Sequence, residues 1–139
     1  MSCDCLYDHG KNPFIFNINK LALINTNYRT TLYTGDYMQL TLMSINVNSC
    51  VGLEKHPDNE QFIRIVRGKA RILMGKEKNE LNISAVADSN FAVIVPKNTW
   101  HNIINIGSVP LKLYSVYAPP HHPFNTVHRT KAEAEERGD

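Results

Sequence analysis

Residues 52–68 read GLEKHPDNEQFIRIVRG, and this stretch decides how the rest of the chain is understood. Glu54 and His56 are separated by one residue; Pro57-Asp58-Asn59 then makes a turn, and Glu60 and Gln61 lead an apolar run that closes at Gly68. On an extended strand, residues i and i+2 project to the same face. Glu54 and His56 therefore stand side by side, and Gln61 can return onto that face from the neighbouring strand. A carboxylate, an imidazole and an amide oxygen converging from one hairpin form a donor set for a divalent cation.

A partner stretch lies at 90–105, NFAVIVPKNTWHNIIN. An apolar strand, Phe91–Val95, runs into Pro96, and the turn Lys97-Asn98-Thr99 delivers Trp100 and His101. His101, Ile103 and Asn105 then share a face.

Together the two stretches resemble the paired motifs of the cupin superfamily. The first family motif is a glycine, five residues, H-x-H, three or four residues, a glutamate, six residues and a glycine. Here Asn48 stands at the first glycine, Glu54 and His56 at the two histidines, Gln61 at the glutamate, and Gly68 closes it. The second motif is matched by Asn90, Pro96, Asn98, His101 and Asn105 at the family's spacing. Three glycine positions carry asparagine, a residue that enters the left-handed region more readily than other non-glycine residues. The stretches NTNYRTTLYTGDYMQLTLMS, PLKLYSVYAPPHHP and TVHRTKAEAE extend the resemblance over roughly 12–136. They are similar to small single-domain cupins, some described as mannose-6-phosphate isomerase-like.

The resemblance implies an all-β fold, a double-stranded β-helix or jelly-roll barrel, with one divalent metal inside it. Glu54, His56, Gln61 and His101 are the expected ligands, with Glu60 the rival of Gln61. Gln61 is in phase with Ile63 and Ile65, Glu60 with Phe62 and Arg64, and the step back from Gly68 favours Gln61. Two imidazoles, a carboxylate and an amide suit Zn, Mn, Ni, Co or Fe without choosing among them. The implied function is a metal-binding cupin acting on a small polar molecule. The options are a sugar or sugar-phosphate isomerase, an Fe-dependent dioxygenase, or a non-catalytic ligand-binding cupin. Phosphomannose isomerases of the cupin class also use a Gln, a Glu and two His, with the Gln and Glu placed differently.

Composition agrees with one domain. The 139 residues carry fifteen basic and thirteen acidic side chains, a net charge of +2. No basic run is interleaved with aromatics, so nucleic acid is not an expected partner. Nor does any apolar stretch have the length of a membrane span, and the N-terminus lacks a secretory layout; a cytoplasmic protein is expected. Cys3, Cys5 and Cys50 read as reduced thiols.

The expected divisions are an N-terminal segment at 1–12, a barrel at 13–118 and a tail at 119–139. Phe14–Phe16 and Thr30–Tyr33 read as strands, with Asn25–Arg29 a turn between them. Phe14–Phe16 is expected to cover the sheet edge of a partner in a homodimer. Tyr37–Val47 changes hydrophobic phase midway, which predicts either a bulge near Leu42-Met43 or a strand buried on both faces. His121-His122 reads as a loop exit, Asn105 as a turn polar group, Trp100 as pocket rim, and Arg64 and Arg67 as anion holders or surface. His128 and Lys131 are placed where the tail could close the barrel mouth. Thr130-Lys131-Ala132-Glu133 is a capping box that predicts a short helix at about 131–137.

Overall fold

The computed structural model describes residues 5–138. The strands are β1 (Arg29–Thr34), β2 (Gln39–Ile45), β3 (Glu60–Arg67), β4 (Ala70–Gly75), β5 (Ile83–Ala87), β6 (Ala92–Val95), β7 (Trp100–Asn105), β8 (Leu111–Ala118) and β9 (Val127–His128). Two short helices flank them, α1 (Ile18–Ile24) and α2 (Lys131–Glu136). One antiparallel sheet has the order β6-β3-β8-β2-β1-β9 and the other β5-β4-β7. Isolated bridges Cys50↔Ile104 and Glu54↔His101 carry the smaller sheet one segment further along β7. This is the jelly-roll architecture expected from the motifs.

All seven residues of β2 are buried, which settles the phase change. Its pairing with β8 is continuous from Gln39↔Tyr117 to Ile45↔Leu111, so no bulge lies at Leu42-Met43. The register shift falls instead in β1, between Thr31 and Tyr33. Met43 and Ile45 join the core between the sheets, with Ile63, Ile65, Ile72, Ile103 and Leu113. Leu40 and Leu42 face the other way, into a second cluster with Leu21, Ala22 and Leu32. Strand alternation puts Gln39 and Thr41 on the interior face with Met43.

The second cluster depends on elements that local pattern did not reveal. Phe14–Phe16 forms no strand: the rings of Phe14 and Phe16 stack at 4.2 Å and pack into the second cluster, while Ile15 points outward. Helix α1 was not anticipated either. Seven residues are too few for a helix to hold alone; here Asn17 caps Lys20 N–H at 3.0 Å, and buried Leu21 and Ala22 anchor it on β2. Asn25–Arg29 is also more than a turn, because Arg29 opens β1.

Local chemistry predicted other features well. Asn48, Asn90 and Asn98 have φ of 65°, 76° and 60°, the left-handed values that their glycine-replacing positions require. Gly68 has φ 103°, and a Cβ there would meet the Leu111 Cα at 3.2 Å, so side chains are excluded twice over. Thr130 caps α2 by accepting from Glu133 N–H at 3.1 Å, and Ala134 buries the helix against the core. Cys5 and Cys50 are free thiols; the Cys3–Cys5 pairing lies partly outside the described residues.

Candidate metal centre

Glu54 and His101 exchange both backbone hydrogen bonds, Glu54 N–H to His101 O at 3.0 Å and His101 N–H to Glu54 O at 2.9 Å. Such a pair places the two side chains next to each other on one face. His56 follows two residues after Glu54, and its carbonyl accepts Asn98 N–H at 2.9 Å, which ties the first motif to the turn before His101. The ligand atoms of Glu54, His56 and His101 all lie within 4.8 Å of one another. Both histidines are buried, and Glu54 is half-buried.

The protonation states suit a cation. His101 Nδ1 is 3.0 Å from the Thr99 carbonyl, so Nδ1 carries the proton and Nε2 keeps its lone pair. Burial pushes the His101 pKa down. Burial, reinforced by the charges of His121, His101 and Arg29, takes His56 down to about 3, so its imidazole is neutral at ordinary pH. His56 Nε2 is fully buried and has no hydrogen-bond partner among the described residues. An orphaned imidazole nitrogen costs stability unless something accepts its lone pair.

Gln61 reaches the interior from the larger sheet. It is 6% exposed, whereas Glu60 beside it faces solvent. Its Nε2 donates to Ser115 Oγ at 3.2 Å, and its Oε1 is buried with no donor among the described residues. Gln61 pairs with Tyr117, whose ring centroid is 5.8 Å from that of His56. Two orphaned lone pairs, one nitrogen and one oxygen, together with a carboxylate and a second imidazole fit a borderline divalent ion.

The His121-His122 stretch is a loop, but it does not lead away from the barrel. Gln39 holds it inward: Gln39 Oε1 accepts the N–H of His121 at 3.1 Å and of His122 at 2.9 Å, and Gln39 Nε2 donates to His122 O at 2.8 Å. The His121 ring lies 4.2 Å from that of His56. His122 is buried, and desolvation with the nearby Arg29 charge lowers its pKa to about 2. Gln39, Tyr117, His121 and Arg29 were not marked as site residues in the sequence. The inward phase of β2 could have signalled Gln39; nothing local marks the others.

Trp100 forms the rim of a cavity of about 410 Å³ that Glu54, His56, His121 and Gly138 also line. A larger cleft of about 840 Å³ between β5 and β6 contains none of these groups. Asn105 donates to Ile45 O and Val109 O, both at 3.0 Å, and so locks a turn. Arg64 binds the Tyr114 hydroxyl at 3.1 Å and Asn90, which occupies it outside the site. His128 is buried within the barrel, and Lys131 Nζ lies 3.5 Å from Cys50 Sγ. No helix among the described residues is long and apolar enough to cross a membrane.

The cupin domain model matches residues 41–117, the span that carries both motifs. The chain is 50% identical over 129 residues to the uncharacterised protein YrkC of Bacillus subtilis, covering 93% of this chain and 69% of that one. It is 38% identical to the uncharacterised protein L612 of Acanthamoeba polyphaga mimivirus, over 79% of this chain and 68% of the relative. The crystal structure of BH2720 from Bacillus halodurans superposes with a TM-score of 0.93 at 45% identity, covering 94% of this chain and 98% of that one.

Proposed function

The chain belongs to the cupin family, and on that premise we propose that it is a metal-dependent enzyme acting on a small polar molecule. The proposed reaction is isomerisation by proton transfer, of the kind sugars and sugar phosphates undergo. Its support is the convergence of Glu54, His56 and His101 within 4.8 Å, with His56 Nε2 orphaned and Gln61 Oε1 buried without a partner among the described residues. These four residues would hold one divalent cation. When bound, the cation supplies Lewis-acid polarisation of a substrate oxygen. Thr99 fixes the His101 ring, Trp100 and His121 bound the entrance, and His121 at the mouth is the imidazole placed to carry a proton. His122, with its pKa near 2, stays neutral and shapes the interior.

A second reading rests on the cluster of Glu54, His56 and His101, whose ligand atoms lie within 4.8 Å of one another. If Gln61 Oε1 does not join the cation, the donors reduce to two His and a carboxylate, the facial set of non-haem iron oxygenases. Reconstitution with Zn and with Fe(II) separates the two. Isotope exchange with sugar phosphates in the Zn form supports the isomerase reading. Oxygen uptake with diketones or catechols in the Fe form alone overturns it in favour of a dioxygenase. Inactivity in both assays overturns both in favour of a non-catalytic ligand-binding cupin.

A further inference from the structure

Arg29 places a full positive charge inside the barrel. It sits opposite Met43 of β2 and His128 of β9, on the face that Met43 presents to the core between the sheets. It is 3% exposed. Its Nη1 lies 3.1 Å from His128 Nδ1. A guanidinium has no lone pair to offer, so Arg29 donates and His128 Nδ1 accepts, unprotonated. Arg29 Nε is fully buried with no hydrogen-bond partner among the described residues.

A charge so placed ordinarily needs a buried carboxylate, since solvation lost on burial must be replaced. None of the described carboxylates is seen paired with Arg29. Asp8, the acidic residue buried among the described residues, is occupied by Thr34, Gly10 and Asn125. Other described neighbours are the Tyr28 ring at 5.3 Å, and His56 and His122, which feel the Arg29 charge. Thr41 lies on the same interior face as Met43, and its hydroxyl is likewise buried without a partner among the described residues.

We propose that the barrel interior binds a small oxyanion, the carboxylate or phosphate group of its ligand, on the Nε edge of Arg29, with the Thr41 hydroxyl as a further donor. With Nη1 engaged by His128, the side-on edge bearing Nε is the part of the fork that remains, and it matches two oxygens of one oxyanion. The anion supplies a countercharge that none of the described carboxylates is seen to provide. This names the ligand class for the barrel interior beside His56 and rests on the function proposed above, but it does not require the cation.

Titration calorimetry tests it on the full chain, once stripped of metal by chelator and dialysis and once loaded with Zn. The probes are propionate and inorganic phosphate, with propionamide as the neutral counterpart. One saturable anion per chain is expected, with no propionamide binding. Tighter propionate than phosphate assigns a carboxylate ligand, and the reverse order a phosphate. Arg29→Lys should weaken binding about tenfold or more, as losing a charge-assisted fork predicts, while Arg71→Gln on the surface leaves it unchanged. Where Arg29→Lys does not fold, the wild-type protein still decides: the ¹⁵Nε–H signal of a buried arginine must shift along the same saturation curve. No saturable anion binding, or binding that moves no arginine Nε signal or survives Arg29→Lys at full strength, overturns the proposal. A chain that takes no metal yet binds anions through Arg29 refutes the metal reading alone; one that takes metal and ignores anions refutes this inference alone.

Discussion

Glu54 and His101 lie directly opposite one another in a doubly hydrogen-bonded antiparallel pair, although 47 positions separate them (101 − 54). The backbone therefore fixes where the two side chains start before any cation arrives, and the Thr99 carbonyl holds the His101 ring, which favours a preorganised site.

Metal content is the most direct consequence. Wild-type protein is expected to bind close to one equivalent of divalent metal. His56→Ala or His101→Ala should weaken binding about a hundredfold or more, and Gln61→Ala about tenfold, since a neutral amide is the weaker donor. Elemental analysis after dialysis against Zn, Mn, Ni and Fe checks this; a wild-type chain that stays empty refutes it.

Acid should destabilise the metal-free protein early. His56 and His122 have folded pKa values of about 3 and about 2, against an ordinary value near 6.5. Below about pH 6.5 the unfolded chain binds protons that the folded chain refuses, so stability is complete above that pH and falls as pH drops toward 3. Each such histidine contributes a slope of up to about 1.4 kcal/mol per pH unit. Urea denaturation across pH 4–7 (roughly, the window set by these pKa values) should show this fall, and His122→Gln should make it shallower.

Gln39 is expected to be a stability hot spot. Its amide serves Thr34, His121 and His122 while fully buried. Gln39→Leu removes these hydrogen bonds from the His121 and His122 backbone and from the Thr34 hydroxyl, and should cost about 2–3 kcal/mol. Chemical denaturation measures the loss, and a change in the His121 NMR signals would show the loop leaving the mouth.

Asn98 tests the left-handed turns. At φ 60°, Asn98→Gly should be neutral or slightly stabilising, whereas Asn98→Val should cost about 1–2 kcal/mol and weaken metal binding, because this turn delivers His101. Equal stability of the two variants in thermal unfolding would contradict the assignment.

A homodimer is expected in solution. Phe62 and Ile94 are directly paired on the exposed outer face of β3 and β6, an apolar pair suited to a second copy. Sedimentation at micromolar concentration should give a dimer that Ile94→Lys dissociates; a wild-type monomer refutes the expectation.

Much of this protein is written locally. Motif spacing placed His56 and His101, strand phase distinguished Gln61 from Glu60, asparagines marked the left-handed turns, and the capping box marked α2. These depend on backbone conformation and side-chain period, which neighbours in sequence determine. The double phase of β2 marked a buried strand but left a bulge equally open; only the sheets on either side excluded it. Helix α1, the inward fold of Phe14 and Phe16, and the capture of His121-His122 by Gln39 left no local signal. Each is stabilised by contacts between distant segments, with too little intrinsic preference to show alone. Arg29 is the sharpest case. In the sequence it is a charge at the end of a turn, and only the pairing of β1 with β2 and β9 turns it into the barrel, where its environment rather than its neighbours determines what it can bind.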